Sequence, residues 1–372
     1  MIGYDLARAG ALWGMLAVNF SILLGTSEFD PAWLIHAIDL IKGRAAVTFV
    51  VLAGVGLSLF SRTVYLKNDL GGINEKRLAL LKRSLFLLII GLLNFALSPL
   101  TDILHFYALY LVLGAWLLTA SDLSLWVLSL ATIIARPFFI AVFPFVKAWD
   151  LNPNAVENFW NLPGIFGHMF FNGCYPVIPW LAFVMIGMWL GRQDVSKRAL
   201  QKKIFLAGAG AIILAESASR VLMHLSSSGQ IEHHLLPWCR LVAWDPMPLF
   251  MISAGGSALV VISMCTMVAE KCGRRGWLLP FVGVGQTSLT LYVIHIIFSG
   301  VLLCFISVFE MELVLSPVWT TFVFYLAALV FSSYWLKRFQ KGPLELIMRR
   351  FLVFSRWSKI SLPVQGFGEV CK

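Results

Sequence analysis

An aspartate and a histidine three residues apart, Asp102 and His105, open an otherwise apolar stretch of the chain. On a helix that spacing puts both side chains on one face, so the carboxylate can orient the imidazole for proton transfer. Two more histidines fall at the same inferred depth: His36, which precedes an apolar stretch, and His295, inside another. A lone histidine in a membrane helix is usually a hydrogen-bonded packing residue. Three at one level, one of them beside a carboxylate, point to a catalytic or proton-handling site. The expected catalytic set is therefore His105 with Asp102, and His36 as the second base. Asn19, Asn94, Arg44 and His295 are the donors available to a developing oxyanion.

Charged residues inside apolar runs carry the rest of the chemistry, because each costs a few kcal/mol or more in lipid. Asp5 and Arg8 share a face at i, i+3, either as a self-neutralising pair or with the arginine turned to a phosphate. Arg136 sits mid-stretch before Pro137, which frees a carbonyl one turn upstream. It either satisfies that carbonyl and a neighbouring helix or lines a cavity. Arg192, at the end of a run, joins Arg8 as an expected contact for donor phosphates. Glu216, Arg220 and His224 recur every four residues, a polar stripe in which internal pairing and a groove to the outer surface are expected.

These groups need a scaffold, and composition limits it. Apolar residues make up 59% of the 372 and charged ones 13%, too few charges to cover a soluble surface, which leaves a polytopic all-α membrane bundle. Ten stretches are long enough to cross about 30 Å of hydrocarbon: 5–25, 43–61, 84–100, 103–120, 124–146, 174–191, 204–224, 248–269, 280–304 and 315–336. Each is expected to be a helix, since lipid offers no partner to an open strand. Connectors 61–83, 192–203 and 270–277 and the tail after 336 are rich in Lys and Arg, whereas the alternate connectors are not. That pattern predicts both termini in the cytoplasm. The net charge of +10 then reflects topology and anionic-lipid contact rather than nucleic-acid binding.

No soluble domain is expected; residues 1–372 read as one integral-membrane unit. The start of the chain, with Asp5, Arg8 and Asn19 in or beside its apolar run, does not read as a cleaved signal. Segment 147–173, with several prolines, glycines and aromatics, suggests a structured loop on the outer face, and 225–247 a longer connector. Six scattered cysteines without a C-x-x-C predict neither a disulfide framework nor a metal site.

Several strings resemble a known family. Tyr4-Asp5-Leu6-Ala7-Arg8 running on to Asn19 resembles the opening of YeiB-like membrane proteins, and Thr101-Asp102-Ile103-Leu104-His105-Phe106-Tyr107 resembles their G-D-I-L-x-x-Y element. Gly283-Val284-Gly285-Gln286-Thr287-Ser288-Leu289-Thr290-Leu291-Tyr292 is similar to their G-R-x-x-L-T-x-Y, and Gly342-Pro343-Leu344-Glu345 to their G-P-x-E. Segment 175–192 also resembles heparan-α-glucosaminide N-acetyltransferase relatives. The chain departs at Ala9, Gln286 and Asn94, where family members carry glycine, arginine and histidine.

The resemblance implies a membrane acyltransferase of the bacterial inner membrane. Its expected donor is acyl-CoA, with acetyl as the acyl group, and its expected acceptor an extracytoplasmic or lipid-linked glycan. The expected geometry is a chamber holding the imidazoles and opening away from the cytosol, with arginines at its inner mouth. Two other readings stay open: a transporter or flippase built on Arg136 and the 216–224 stripe, and a non-catalytic assembly partner. The acceptor, the acyl chain and any homo-oligomer are not written in the sequence.

Overall fold

The computed structural model describes residues 2–25, 31–67, 69–98, 101–143, 159–228, 236–273, 275–308 and 316–357. Every regular element among them is helical. In chain order these are α1 (Ile2–Leu24), α2 (Ala32–Ile41), α3 (Arg44–Leu66), α4 (Leu70–Leu97), α5 (Leu104–Trp116), α6 (Asp122–Val142) and α7 (Leu162–Gly167). A π-helical turn, His168–Asn172, leads to α8 (Val177–Arg192), α9 (Arg198–Ser227), α10 (Leu236–Cys239) and α11 (Pro248–Cys272). The chain closes with α12 (Leu279–Gln286), α13 (Ser288–Val308), α14 (Pro317–Arg338) and α15 (Pro343–Trp357).

Eight of these helical runs are long and apolar enough to cross a membrane. The bent pair Leu162–Asn172 and Val177–Arg192, folded by 52°, makes a ninth if taken as one span, and Leu104–Thr119 is a shorter apolar helix. The ten expected stretches thus give eight or nine candidate crossings rather than ten; their described parts are largely helical, but the ends differ from expectation. Segment 61–83 is mostly helix rather than connector: Asp69 caps α4 by accepting from the Gly72 amide at 3.0 Å, so the basic residues after it ride on helical turns. Ser121 does the same for α6 through the Ser124 amide at 3.1 Å, which separates the near-continuous fourth and fifth stretches. The ninth stretch is broken at Thr287 into α12 and α13. Pro137 is accommodated inside α6.

The core runs along α1, whose Ala7, Leu12, Leu16 and Phe20 are fully enclosed, with α3, α11, α12 and α14 packed around it. Two helix crossings are close enough to exclude side chains. A Cβ on Gly54 would lie 2.1 Å from the Val184 carbonyl, and one on Gly187 would lie 2.0 Å from that of Val51. This seam joins α3 to α8 through backbone contact, the small-residue packing that membrane helices favour. Gly208 and Gly256 join α9 to α11 in the same way, each facing the other's carbonyl.

Candidate active site

The turn between α4 and α5 carries Asp102, and α5 begins two residues later. A carboxylate there is stabilised by the amides left unpaired at a helix start. Asp102 Oδ2 accepts from His105 Nδ1 at 2.6 Å and from the His105 backbone amide at 3.3 Å. Its other oxygen accepts from Asn94 Nδ2 at 3.3 Å. Both Asp102 and His105 are almost wholly buried. Gly91, one turn before Asn94, makes the approach possible, because a Cβ there would meet the His105 nitrogen at 2.3 Å.

The relay does not stop at His105. Its Nε2 lies 3.2 Å from Nε2 of His168, on the π-helical turn. With both rings neutral, the proton on His105 Nδ1 goes to the carboxylate, so His105 Nε2 accepts and His168 Nε2–H donates. Phe95, Phe106 and Phe159 pack their rings against this pair. Sequence reasoning missed His168. It has no carboxylate at helical spacing, and its partner is 63 residues away; only its place at the end of the aromatic-rich loop hinted at a role.

Tyr292 holds the aspartate from both sides. Its hydroxyl donates to the Thr101 carbonyl at 2.7 Å and accepts from the Ile103 amide at 3.0 Å. One turn along α13, His295 is fully committed: Nδ1–H donates to the Tyr292 carbonyl, which leaves Nε2 to accept from Asn19 Nδ2 at 2.9 Å. At the start of α13, Glu345 of α15 accepts from the Leu289 amide at 2.9 Å and the Thr290 hydroxyl at 2.6 Å, capping that helix from outside. Thus the strings 101–107, 283–292 and 342–345 meet in space.

Behind Ile103, Leu104 and Tyr292 lies a cavity of about 830 Å³. It sits on the side of the bundle that carries the start of α1 and the start of α15. Asp5, Arg8, Lys341, Glu345 and Arg349 line it there, Arg83 and Tyr107 line it further in, and Met15, Leu87 and Leu104 are among its apolar walls. Arg8 pairs with Asp5, which also accepts from Gln286 Nε2 at 3.4 Å. Gly285 brings α12 against α1 there, since a Cβ would meet the Asp5 carbonyl. Among the described residues, Arg83, Lys341 and Arg349 have no ion pair or side-chain hydrogen bond, and the Tyr107 hydroxyl is buried without a partner. Four cations against two carboxylates make the lining net positive.

Among the described residues this cavity lies at the end of the bundle where α1 and α15 begin, and Ile103 and Leu104, the chain neighbours of Asp102 and His105, form part of its wall. The remaining expected residues stand apart from it. His36 is exposed on α2. Arg44 bonds Glu216 at 2.6 Å, Ser253 at 3.1 Å and the Leu40 carbonyl; Glu216 of the α9 stripe is thus paired across helices to α3. Arg136 donates to the Phe171 carbonyl and, at 3.3 Å, to Asp245. Arg192 bonds Asp122 at 2.7 Å and the Ala120 carbonyl at 2.8 Å, over the ring of Tyr65. Trp149, His233 and His234 lie outside the described residues. No group of three or more His, Cys, Asp or Glu among the described residues is arranged to hold a metal ion.

Fold and site together define a multi-pass helical membrane protein with a buried carboxylate–imidazole–imidazole relay set against a cation-lined cavity. A family model described as heparan-alpha-glucosaminide N-acetyltransferase, catalytic, matches residues 2–215, more than half of the chain, and a model for a protein of unknown function, DUF418, matches 188–355. The chain belongs to this YeiB-like family related to the heparan-alpha-glucosaminide N-acetyltransferases. Asp102, His105 and His168 fall within the first match; Tyr292, His295 and Glu345 fall within the second. A search of curated proteins finds no match.

Proposed function

We propose that the protein is an integral-membrane acyltransferase that draws on acyl-CoA from the cytoplasmic side and acylates a glycan-type acceptor, extracytoplasmic or lipid-linked. The observation that carries this reading is the Asp102–His105–His168 relay, whose chain neighbours Ile103 and Leu104 line a positively charged cavity. The cavity volume falls in the range of about 300–1,000 Å³ typical of small-molecule sites. Its lining fits an elongated anion: Arg83, Lys341 and Arg349 are unpaired cations suited to phosphates, and the apolar walls suit a pantetheine arm. The excess of Lys and Arg on the connectors of that side supports a cytoplasmic mouth and cytoplasmic termini, in the inner membrane of a bacterium.

In this scheme the acceptor's hydroxyl or amine forms a bond to the thioester carbonyl carbon and gives its proton to the imidazole pair. The C–S bond breaks, and the departing sulfur takes that proton back. Asp102 faces the positive charge the pair carries in between, which favours the transfer. The Asn19–His295 pair and Tyr292 keep the turn around Asp102 in register.

The test is purified protein in nanodiscs with radiolabelled acetyl-CoA. Saturable CoA binding and slow acetyl-CoA hydrolysis or transfer, lost in His105→Ala, are expected. Solute movement only in sealed, polarised vesicles, with no CoA binding, would replace this reading with a transporter.

A further inference from the structure

The relay depends on where the π-helical turn holds His168. In a π-helix the carbonyl of residue i accepts from the amide of residue i+5. His168 makes that bond with Gly173, and Phe171 stands near the end of the turn, where such a partner would lie beyond the helix. A buried carbonyl without a donor is costly, and more so within a membrane.

Arg136 supplies a donor to the Phe171 carbonyl from another helix. Its side chain is buried on α6, Nη1 donates to the Phe171 carbonyl, and Nη2 donates to Asp245 at 3.3 Å in the turn before α11. Phe139, one turn along α6, packs against the ring of Phe171 at 5.1 Å. At the other end of the turn, the His168 carbonyl accepts from the Gly173 amide at 3.0 Å. The turn is therefore held at both ends, by its own backbone at His168 and by a guanidinium from α6 at Phe171. Burying an ion pair adds little to stability by itself, since desolvation offsets the attraction. What the planar fork does supply is geometry, because it reaches a carbonyl and a carboxylate at once.

We infer that Arg136, oriented by Asp245, is a positioning residue that sets the π-helical turn and so presents His168 to His105. The inference rests on the acyltransfer reading for its kinetic consequence but not for its structural one. Arg136 does not line the cavity, so donor affinity is not its business.

The experiment pairs two readouts on Arg136→Gln and Asp245→Asn: ¹⁵N NMR of histidine-labelled protein, which reports the Nε2–Nε2 hydrogen bond, and acyl-transfer turnover alongside CoA affinity. In Arg136→Gln the imidazole signal assigned with His168→Ala should shift, and turnover should fall about 10- to 100-fold, the scale of a catalytic group misplaced by about 1 Å. CoA affinity should stay within about twofold, since binding groups and positioning groups are separate. Adding Arg136→Gln to His168→Ala should cause no further loss, because both act through one group. Arg136→Lys should recover part of the signal. If Arg136→Gln does not fold, Asp245→Asn is read by the same criteria. An unchanged histidine spectrum with unchanged turnover in a folded variant overturns the inference. A shifted spectrum in a protein that transfers no acyl group leaves the positioning role standing and removes the enzyme reading instead.

Discussion

Replacing Gly91 by alanine tests whether the backbone of α5 is held in place by α4. The added Cβ would lie 2.3 Å from the His105 nitrogen, 2.8 Å from the Leu104 carbonyl carbon and 2.9 Å from the His105 Cα, while ordinary contact starts near 3.4 Å. All three atoms are backbone, so no rotamer change relieves the clash. The two helices must separate by about 1 Å, and overpacking of this kind costs about 1–3 kcal/mol. The same movement stretches the Asn94–Asp102 contact, already 3.3 Å, beyond hydrogen-bonding range. Turnover should then fall about 100-fold, the usual consequence of a 1 Å displacement at a reacting group. The assay is acetyl transfer in nanodiscs beside a thermal melt. Gly210→Ala is the control: nothing lies within 4 Å of its added Cβ, so it should keep full turnover and gain about 0.5–1 kcal/mol of helix stability. A Gly91→Ala protein with unaltered melting and turnover would refute the close α4–α5 approach.

His105→Ala should lower transfer by about 10²–10⁴, the usual share of general acid–base catalysis, while His36→Ala, at an exposed position on α2, should leave turnover intact; equal losses would move the base to α2. Arg83→Gln should weaken CoA binding measured by titration calorimetry, whereas Arg192→Gln should not, and removing its pair with half-exposed Asp122 should cost at most about 1 kcal/mol in a melt. Glu345→Gln should lower stability by about 1 kcal/mol through the lost cap on α13; an unchanged melt would show that the contact does not hold α15 in place.

The legible part of the site was the part written within one helical turn. Asp102–His105 was predicted from a spacing of three and is found bonded, and of the two readings left open for Asp5 and Arg8 the pairing is the one seen. Glu216 misled for the same reason: spacing of four suggested Arg220, but Arg44, 172 residues away, offers a guanidinium across the helix packing. His168 could not be read at all, because its link to His105 exists only after the 159–173 segment folds back into the bundle. The fold's composition gave membrane helices without ambiguity, whereas their ends depended on caps such as Asp69, which periodicity does not reveal. The cavity where α1 and α15 begin could not be read from the chain either, since a void is a property of several helices together.

The glycine seams have a mechanical corollary. Where α3 meets α8 and α9 meets α11, backbone rests on backbone, and such joints cannot slide without tearing main-chain contacts apart. Those four helices are thus effectively glued. If an acyl arm is to push past Tyr292 and Leu104, the yielding must come from the helices outside those joints. The break at Thr287, stitched to α14 by one hydroxyl pair with Ser332 at 2.8 Å, is the natural crease.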